Sequence, residues 1–335
     1  MNQWKLTKAN ELQKEDVPLT EALGLTRKVR ITKVMITGLD GEFFSGAVKM
    51  NYPRVLGRFA VGLIVDDVNG SPLMKGQRVL LPTFPPVPDT GVQSKTFSEE
   101  EYKVCGFNRD GYLRDFVYAE EDSLVVIPEA LPDEKALLAQ FMGLAIETAD
   151  TLDIQRGEHI AVIGKSILSL FLCQFLIYRQ TAPILIDTNE DRLAYARASG
   201  IYYCVANDKS LVENVAAITG GRLADGTVFL CPEDAEGGAL PFGVTKTGGK
   251  VVFSGFLTSS IPASLDLAFK KRLSLFGVSD GSESIPTALN LLVNDAIDLS
   301  RIRFTRLPFE RADEAFRALA DEKESNSNVT ILEMI

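Results

Sequence analysis

Apolar and polar positions change rhythm twice between residues 158 and 192. His159–Ile163 is a short apolar run that stops at Gly164. Ile167–Tyr178 is apolar on nearly every face, which predicts a helix covered on all sides rather than one lying on a surface. A second apolar run, 183–186, ends on Asp187. Together they predict a βαβ unit with a tight turn at Gly164 and an acid closing its second strand, the layout of a dinucleotide site.

N-terminal to this unit the period is shorter. Residues 4–6 and 29–36 read as strands, the latter with Val29 and Ile31 alternating against Arg30 and Thr32 as in a half-buried sheet. A turn is expected at 37–42, and further strands at 63–65 and 78–80. Short strands separated by Gly and Pro predict a small β-barrel. Residues 124–128 read as a strand, and 133–150 as one helix bridging two domains. After the central unit come strands at 202–205, 228–230, 250–254 and 273–278, with a helix at Leu211–Ile218. Alternating strands and helices predict a parallel, doubly wound sheet. Amphipathic helices are expected at 286–295 and 312–320, and a last strand at 329–334 is assigned to the barrel.

The glycine fingerprint at the first turn is degenerate. Where G-x-G-x-x-G is expected the chain has Gly164, Ser166 and Ser169, with Lys165 between the first two. Gly164 keeps the sharp turn, Ser166 puts a side chain where backbone would approach a pyrophosphate, and Ser169 is small enough for close helix packing. The helix start still presents free N–H groups and partial positive charge. Two readings stand: a working site, with Lys165 adding charge, or a Rossmann unit kept as scaffold. Asp187 favours NAD over NADP, since a carboxylate accepts from ribose hydroxyls and repels a 2′-phosphate.

Composition narrows the partners. The 335 residues suffice for two cored domains, and 46% hydrophobic with 24% charged content is that of an ordinary soluble globular protein. A net charge of −10 without a basic cluster excludes nucleic acid as the expected partner. No apolar stretch is long enough to cross a bilayer, and the first ten residues lack a signal-peptide core. Cys105, Cys173, Cys204 and Cys231 have no paired spacing, so reduced thiols and a cytoplasmic location are expected. The single histidine, His159, opens a buried strand and is read as structural.

Landmarks in a fixed order carry a resemblance: residues 29–41, 56–62, 76–79 and 110–117, then Gly157, Gly164, Asp187, 220–222, 248–252 and 307–309. Over nearly its whole length the chain resembles the medium-chain dehydrogenases/reductases, the superfamily of zinc alcohol and polyol dehydrogenases. The resemblance implies an α/β protein: a GroES-like β-barrel catalytic domain, residues 1–148 completed by about 279–335, and a Rossmann domain, 149–278. It implies a homodimer, for which strand 273–278 offers an edge. Zinc-type members hold a catalytic metal at positions that fall here on Asp40, Arg58 and Gln140. Arginine cannot ligate a cation, so no catalytic zinc is expected. The structural zinc loop is replaced by residues 82–104, expected to be a solvated lobe, and leaves Cys105 alone.

A zinc-independent, NAD(H)-dependent oxidoreductase acting on a small carbonyl, alcohol or activated alkene follows from the resemblance, with Arg58 as cation and Glu42 or Tyr52 as proton donor. A second reading of Arg58 is an ion pair with Asp40 that fills the vacated metal position. Cofactor contacts are expected at Gly164, Lys165, Ser166, Asp187 and Arg192. The alternative function is a non-catalytic member, serving as cofactor sensor or assembly partner.

Overall fold

A computed structural model describes residues 1–19, 26–84, 102–230, 240–255, 265–321 and 328–334. Most of the 82–104 loop and the Cys231-Pro232 pair fall outside the described residues. The chain divides into two compact units, one of residues 1–138 with 302–335 and one of 139–301.

In the first unit the long strand Thr26–Ile36 organises a mixed sheet. It pairs antiparallel with Asn328–Glu333, Phe59–Ile64 and Phe116–Glu120. The sheet runs Arg303–Pro308, Asn328–Glu333, Thr26–Ile36, Phe59–Ile64, Arg78–Leu80 and Val125–Val126. Alternation sends Val29 and Ile31 inward, and a register shift between Ile31 and Lys33 resets the phase so that Val34 is inward too; all three are fully buried. A three-stranded sheet of Glu11–Asp16, Asn2–Lys8 and Arg54–Val55 completes the unit. Arg27, 1% exposed, is held by Asp66, Ser71 and the Leu73 carbonyl.

Residues 37–42 are not a turn. Gly38–Ser45 is a helix with Thr37 as its N-cap. The Asp40 carboxylate accepts the Thr37 backbone N–H at 2.9 Å, the acidic half of a capping box. The sequence signal was Thr37-x-x-Asp40, which a turn reading overlooks.

In the second unit the strands lie in the order Tyr203–Ala206, Ala182–Asp187, His159–Ile163, Ala224–Phe229, Thr245–Ser254, Ser274–Val278, all parallel. Numbered by chain position that is 3-2-1-4-5-6, the doubly wound order whose direction reverses beside the first strand. Ile167–Tyr178 is buried from Leu168 to Leu176 except at the half-buried Gln174, but its last two residues, Ile177 and Tyr178, are 42% and 53% exposed. The predicted helix 133–150 is two helices, Asp133–Leu137 and Ala139–Leu152. The division between units falls at this break, because Ala139–Leu152 packs on Ile167–Tyr178 and Ile285–Val293 and so belongs with the parallel sheet. Residues 279–301 belong there for the same reason. The sequence-based boundaries at 148 and 279 differ on both counts.

Candidate functional site

Two places gather the residues singled out by sequence, one in each unit. In the first, Asp40 is 0% and Arg58 6% exposed. Arg58 donates from Nε to Asp40 Oδ1 at 3.4 Å and from Nη2 to Oδ2 at 3.3 Å. Thr37 joins them: its hydroxyl donates to Asp40 Oδ2 at 2.7 Å and accepts from Arg58 Nη2 at 2.6 Å. Thr37 was not among the sequence candidates.

Local geometry explains why Arg58 can sit there. Gly57 has φ +89, a backbone conformation that favours glycine. It turns the chain between Leu56 and the strand Phe59–Ile64. The guanidinium then lies 4.7 Å from the Phe59 ring centroid and 5.8 Å from that of Phe43. An arginine stripped of water needs such contacts and a paired carboxylate together.

Glu42 and Tyr52 do not join this set. Glu42 lies two positions beyond Asp40 on the same helix, about 200° around it, and is half-buried. Tyr52 is 37% exposed and stands beside Gly46 at the end of that helix. Gln140 is placed in the second unit, in Ala139–Leu152.

A catalytic zinc takes thiolate, imidazole and carboxylate donors. The Asp40–Arg58–Thr37 set supplies one carboxylate, already accepting four hydrogen bonds, and a guanidinium that has no lone pair to give. These residues do not fit a zinc ion. Among the described residues no cluster of three His, Cys, Asp or Glu side chains is arranged to hold a metal.

The second place lies at the carboxyl ends of the parallel strands. Gly164 follows His159–Ile163, and a Cβ there would come within 2.9 Å of the Leu230 Cβ. This glycine is therefore required by packing, whereas its φ lies outside the left-handed region and the turn itself does not demand it. Ser166 stands at the N-cap position of Ile167–Tyr178 without a side-chain capping bond, and the Ser169 hydroxyl donates to the Ser166 carbonyl at 2.6 Å. Ser169 thus fits the close helix–strand approach that the third fingerprint glycine normally allows. Lys165 and Ser166 are half-buried at the same turn.

Asp187 ends the neighbouring strand and is 5% exposed. Its Oδ2 accepts from Arg192 Nε at 2.6 Å, and its Oδ1 accepts the Asn189 N–H at 2.9 Å and a second bond from Arg192 Nη2. Asn189 caps the helix Glu190–Ala198 by accepting the Arg192 N–H at 3.0 Å, which fixes Arg192 in the first turn facing Asp187. The carboxylate is thus engaged, but among the described residues Oδ2 accepts one hydrogen bond and keeps a lone pair for a ribose hydroxyl. Turn, helix start and acid together fit a dinucleotide.

Among the described residues the thiols offer no nucleophile. Cys105, Cys173 and Cys204 are free. Burial pushes the Cys173 thiol well above its ordinary value and Cys204 up to about 11, so both stay protonated near neutral pH. His159 is half-buried, its ring 6.2 Å from that of Tyr203, and its buried Nδ1 has no hydrogen-bond partner.

The alcohol dehydrogenase GroES-like domain model matches residues 26–129, and the zinc-binding dehydrogenase model matches 168–294. The two matches follow one another along the chain as barrel and parallel sheet do. The chain belongs to the medium-chain dehydrogenase/reductase superfamily. A zinc-type alcohol dehydrogenase-like protein of Haemophilus influenzae is 25% identical over 330 residues, covering 96% of this chain and 95% of its own. Among solved structures of the superfamily's fold, the Escherichia coli CFT073 alcohol dehydrogenase rspB, complexed with NADH, superposes with a TM-score of 0.82 at 19% identity. That match covers 99% of both chains. A Sinorhizobium meliloti 1021 zinc-binding dehydrogenase bound to NADP gives 0.82 at 17% identity, covering 99% of this chain and 98% of that one. At these identities the structural likeness is one of fold. Among the described residues of this medium-chain dehydrogenase/reductase, no helix is long and apolar enough to cross a membrane.

Proposed function

We propose that this oxidoreductase transfers hydride between a nicotinamide cofactor, NAD(H) by preference, and a small carbonyl, alcohol or activated alkene, without a catalytic zinc. The observation that carries this reading is the Asp40–Arg58 pair. A cation already stands where the superfamily's Lewis acid would be required, and its counter-ion is built in.

The cofactor, when bound, supplies or accepts the hydride. The chain's own residues hold and polarise. Beyond Gly164, whose own N–H is donated to the Ile186 carbonyl, the start of Ile167–Tyr178 offers backbone N–H groups to a pyrophosphate, and Asp187 offers Oδ2 to the adenosine ribose. Arg58 uses Nε and both Nη2 hydrogens on Asp40 and Thr37, leaving the Nη1 pair as donors toward a substrate carbonyl oxygen. A guanidinium fixed in this way needs no reorganisation as negative charge develops on that oxygen. Asp40 and Thr37 then act as positioning residues. The proton required for reduction comes from Glu42, Tyr52 or solvent.

A second reading, a non-catalytic cofactor sensor or assembly partner, draws on the same pair closed on itself and on Ser166 in place of a glycine. Calorimetry with NADH and NADPH, elemental analysis and single-turnover hydride transfer to enones, quinones and ketones separate the readings. The proposal expects NADH binding, turnover of one class, and far less than one zinc per chain. One zinc per chain overturns zinc independence. NADH binding without turnover of any class leaves the non-catalytic reading.

A cytoplasmic homodimer completes the proposal. Ser274–Val278 is the edge of the parallel sheet, and it carries Leu275 and Phe276 at 40% and 38% exposure. An open edge with exposed apolar side chains is the kind of strand a second copy covers.

A further inference from the structure

The first unit also contains an open cavity of about 400 Å³ that shares no lining residue with the Asp40–Arg58–Thr37 set. That volume is in the range that takes a small organic molecule. Its lining brings together two arginines, Arg109 and Arg114, and an apolar wall that includes Val17, Leu19 and Phe116.

The scaffold behind the arginines is fixed. The Gly111 N–H donates to the Val55 carbonyl at 2.7 Å and the Tyr112 N–H to the Gly57 carbonyl at 2.9 Å. A Cβ on Gly111 would sit 2.2 Å from the Gly57 oxygen, so only glycine permits this approach. The turn that carries Arg109 is closed by N–H groups of Phe107, Asn108 and Arg109 on the Val104 carbonyl, at 3.2 to 3.3 Å. Both guanidinium groups therefore stand on backbone that cannot readily move away.

Their charges are not answered from within. The Arg114 Nε is buried without a hydrogen-bond partner, and its Nη2 reaches only the Asp110 carbonyl at 3.5 Å. The Arg109 side chain makes no hydrogen bond or ion pair among the described residues. Two acids line the cavity. Asp110 is already engaged by Arg54 Nη1 at 3.2 Å and the Val55 N–H at 3.1 Å, and Glu120 is the other. The Met1 amine, also on the wall, is paired with Asp16. The Tyr112 hydroxyl donates to the Pro82 carbonyl at 2.6 Å and so cannot donate to a ligand. Burial pulls the Arg114 guanidinium below its ordinary value although Asp110 pulls the other way, the mark of a cation short of counter-charge. In a chain of net charge −10, two uncommitted guanidinium groups at one cavity stand out.

We propose that this cavity is a binding site for a small organic carboxylate. The ligand's carboxylate lies against Arg109 and Arg114, and its apolar body rests on Phe116, Val17 and Leu19. Planar guanidinium groups match carboxylate geometry, and the apolar wall selects an organic acid over inorganic phosphate.

The test uses acetate, benzoate, succinate and inorganic phosphate as probes, with benzamide as the neutral counterpart of benzoate. Binding is followed by calorimetry and thermal shift on the full chain at constant ionic strength. At least one carboxylate should bind while benzamide and phosphate do not. Arg114→Gln and, separately, the exposed Arg109→Gln should weaken that binding by about tenfold or more, the loss of one charged hydrogen bond. Should Arg114→Gln fail to fold, Arg109→Gln alone decides. Arg58→Lys should leave the affinity unchanged, and its loss there would relocate the site to Arg58 and overturn the proposal. No binding by any carboxylate, equal binding of benzamide, preference for phosphate, or unchanged affinity in the Arg109 variant each overturns it as well.

Discussion

The two units treat a buried carboxylate in different ways. In the first, Asp40 and Arg58 occupy positions that the family resemblance assigns to metal ligands, and each supplies what the other lacks. Asp40 accepts four hydrogen bonds from Thr37 and Arg58 and, at 0% exposure, is closed off from a ligand. In the second, Asp187 is also gripped by an arginine, yet it sits at the carboxyl end of a parallel strand and its Oδ2 accepts a single hydrogen bond among the described residues. One carboxylate is consumed by the structure; the other is oriented by it. A retained residue type is therefore a weaker guide to chemistry than the number of hydrogen bonds its environment leaves unmade.

The largest effect should come from breaking the closed pair. Arg58→Ala strands a carboxylate at 0% exposure and should destabilise the protein by about 3 kcal/mol or more. Asp40→Ala should cost about as much, and the double variant should recover a large part of the loss. Urea melts of the three variants measure the coupling. Additive losses would show that the pair does not act as a unit.

Opening the second carboxylate should change ligand choice more than stability. Asp187→Ala should weaken NADH binding by roughly tenfold, about one charged hydrogen bond, and narrow the gap between NADH and NADPH. Calorimetry with both cofactors reads this directly, and equal affinities in the unmodified protein would remove the assignment. Arg192→Ala releases the carboxylate without removing it, and should leave the preference for NADH in place.

Phe276→Glu places a charge on the exposed edge of the parallel sheet. Light scattering at micromolar concentration should report a dimer for the unmodified chain and a shift toward monomer for the variant. A monomer in both cases ends the edge-pairing model.

The smallest effect concerns acid. Asp225 lies deeper than a surface carboxylate, and burial by itself would raise its pKa. The Lys246 ammonium at 2.6 Å and the His159 N–H at 2.9 Å outweigh burial and hold it below its ordinary value. A carboxyl depressed in the folded state contributes stability above its unfolded pKa, and that contribution is lost as pH falls through the folded one. Asp225→Asn should therefore lower stability near pH 7 and flatten the acid limb of the melting profile, whereas an unchanged acid limb would show that the carboxylate is not coupled to folding.

Much of the second unit was legible in the chain itself. The apolar run at His159–Ile163, the all-round apolar helix Ile167–Tyr178 and the strand ending on Asp187 emerged where the period placed them, because burial on both faces of a parallel sheet leaves an almost unbroken apolar signature. The short strands Glu11–Asp16 and Arg303–Pro308 were not legible. They are mostly polar, and only pairing with neighbours makes them strands.

For the site, sequence determined which residues were available: a carboxylate and a guanidinium in place of metal donors, and an acid at the end of the second parallel strand. The donor chemistry of an arginine side chain is fixed by its identity, so the misfit to zinc needed no coordinates. Only the tertiary structure decided how those groups are spent. Thr37 enters the set because a helix starts where a turn was expected, which brings its hydroxyl to both Asp40 and Arg58. Arg192 closes on Asp187 because Asn189 caps the intervening helix. The two arginines of the cavity are brought together because Gly111 lets its segment lie against Gly57. In each case the deciding quantity is a distance between chain segments or the seating of a helix start, and single-residue patterns carry neither.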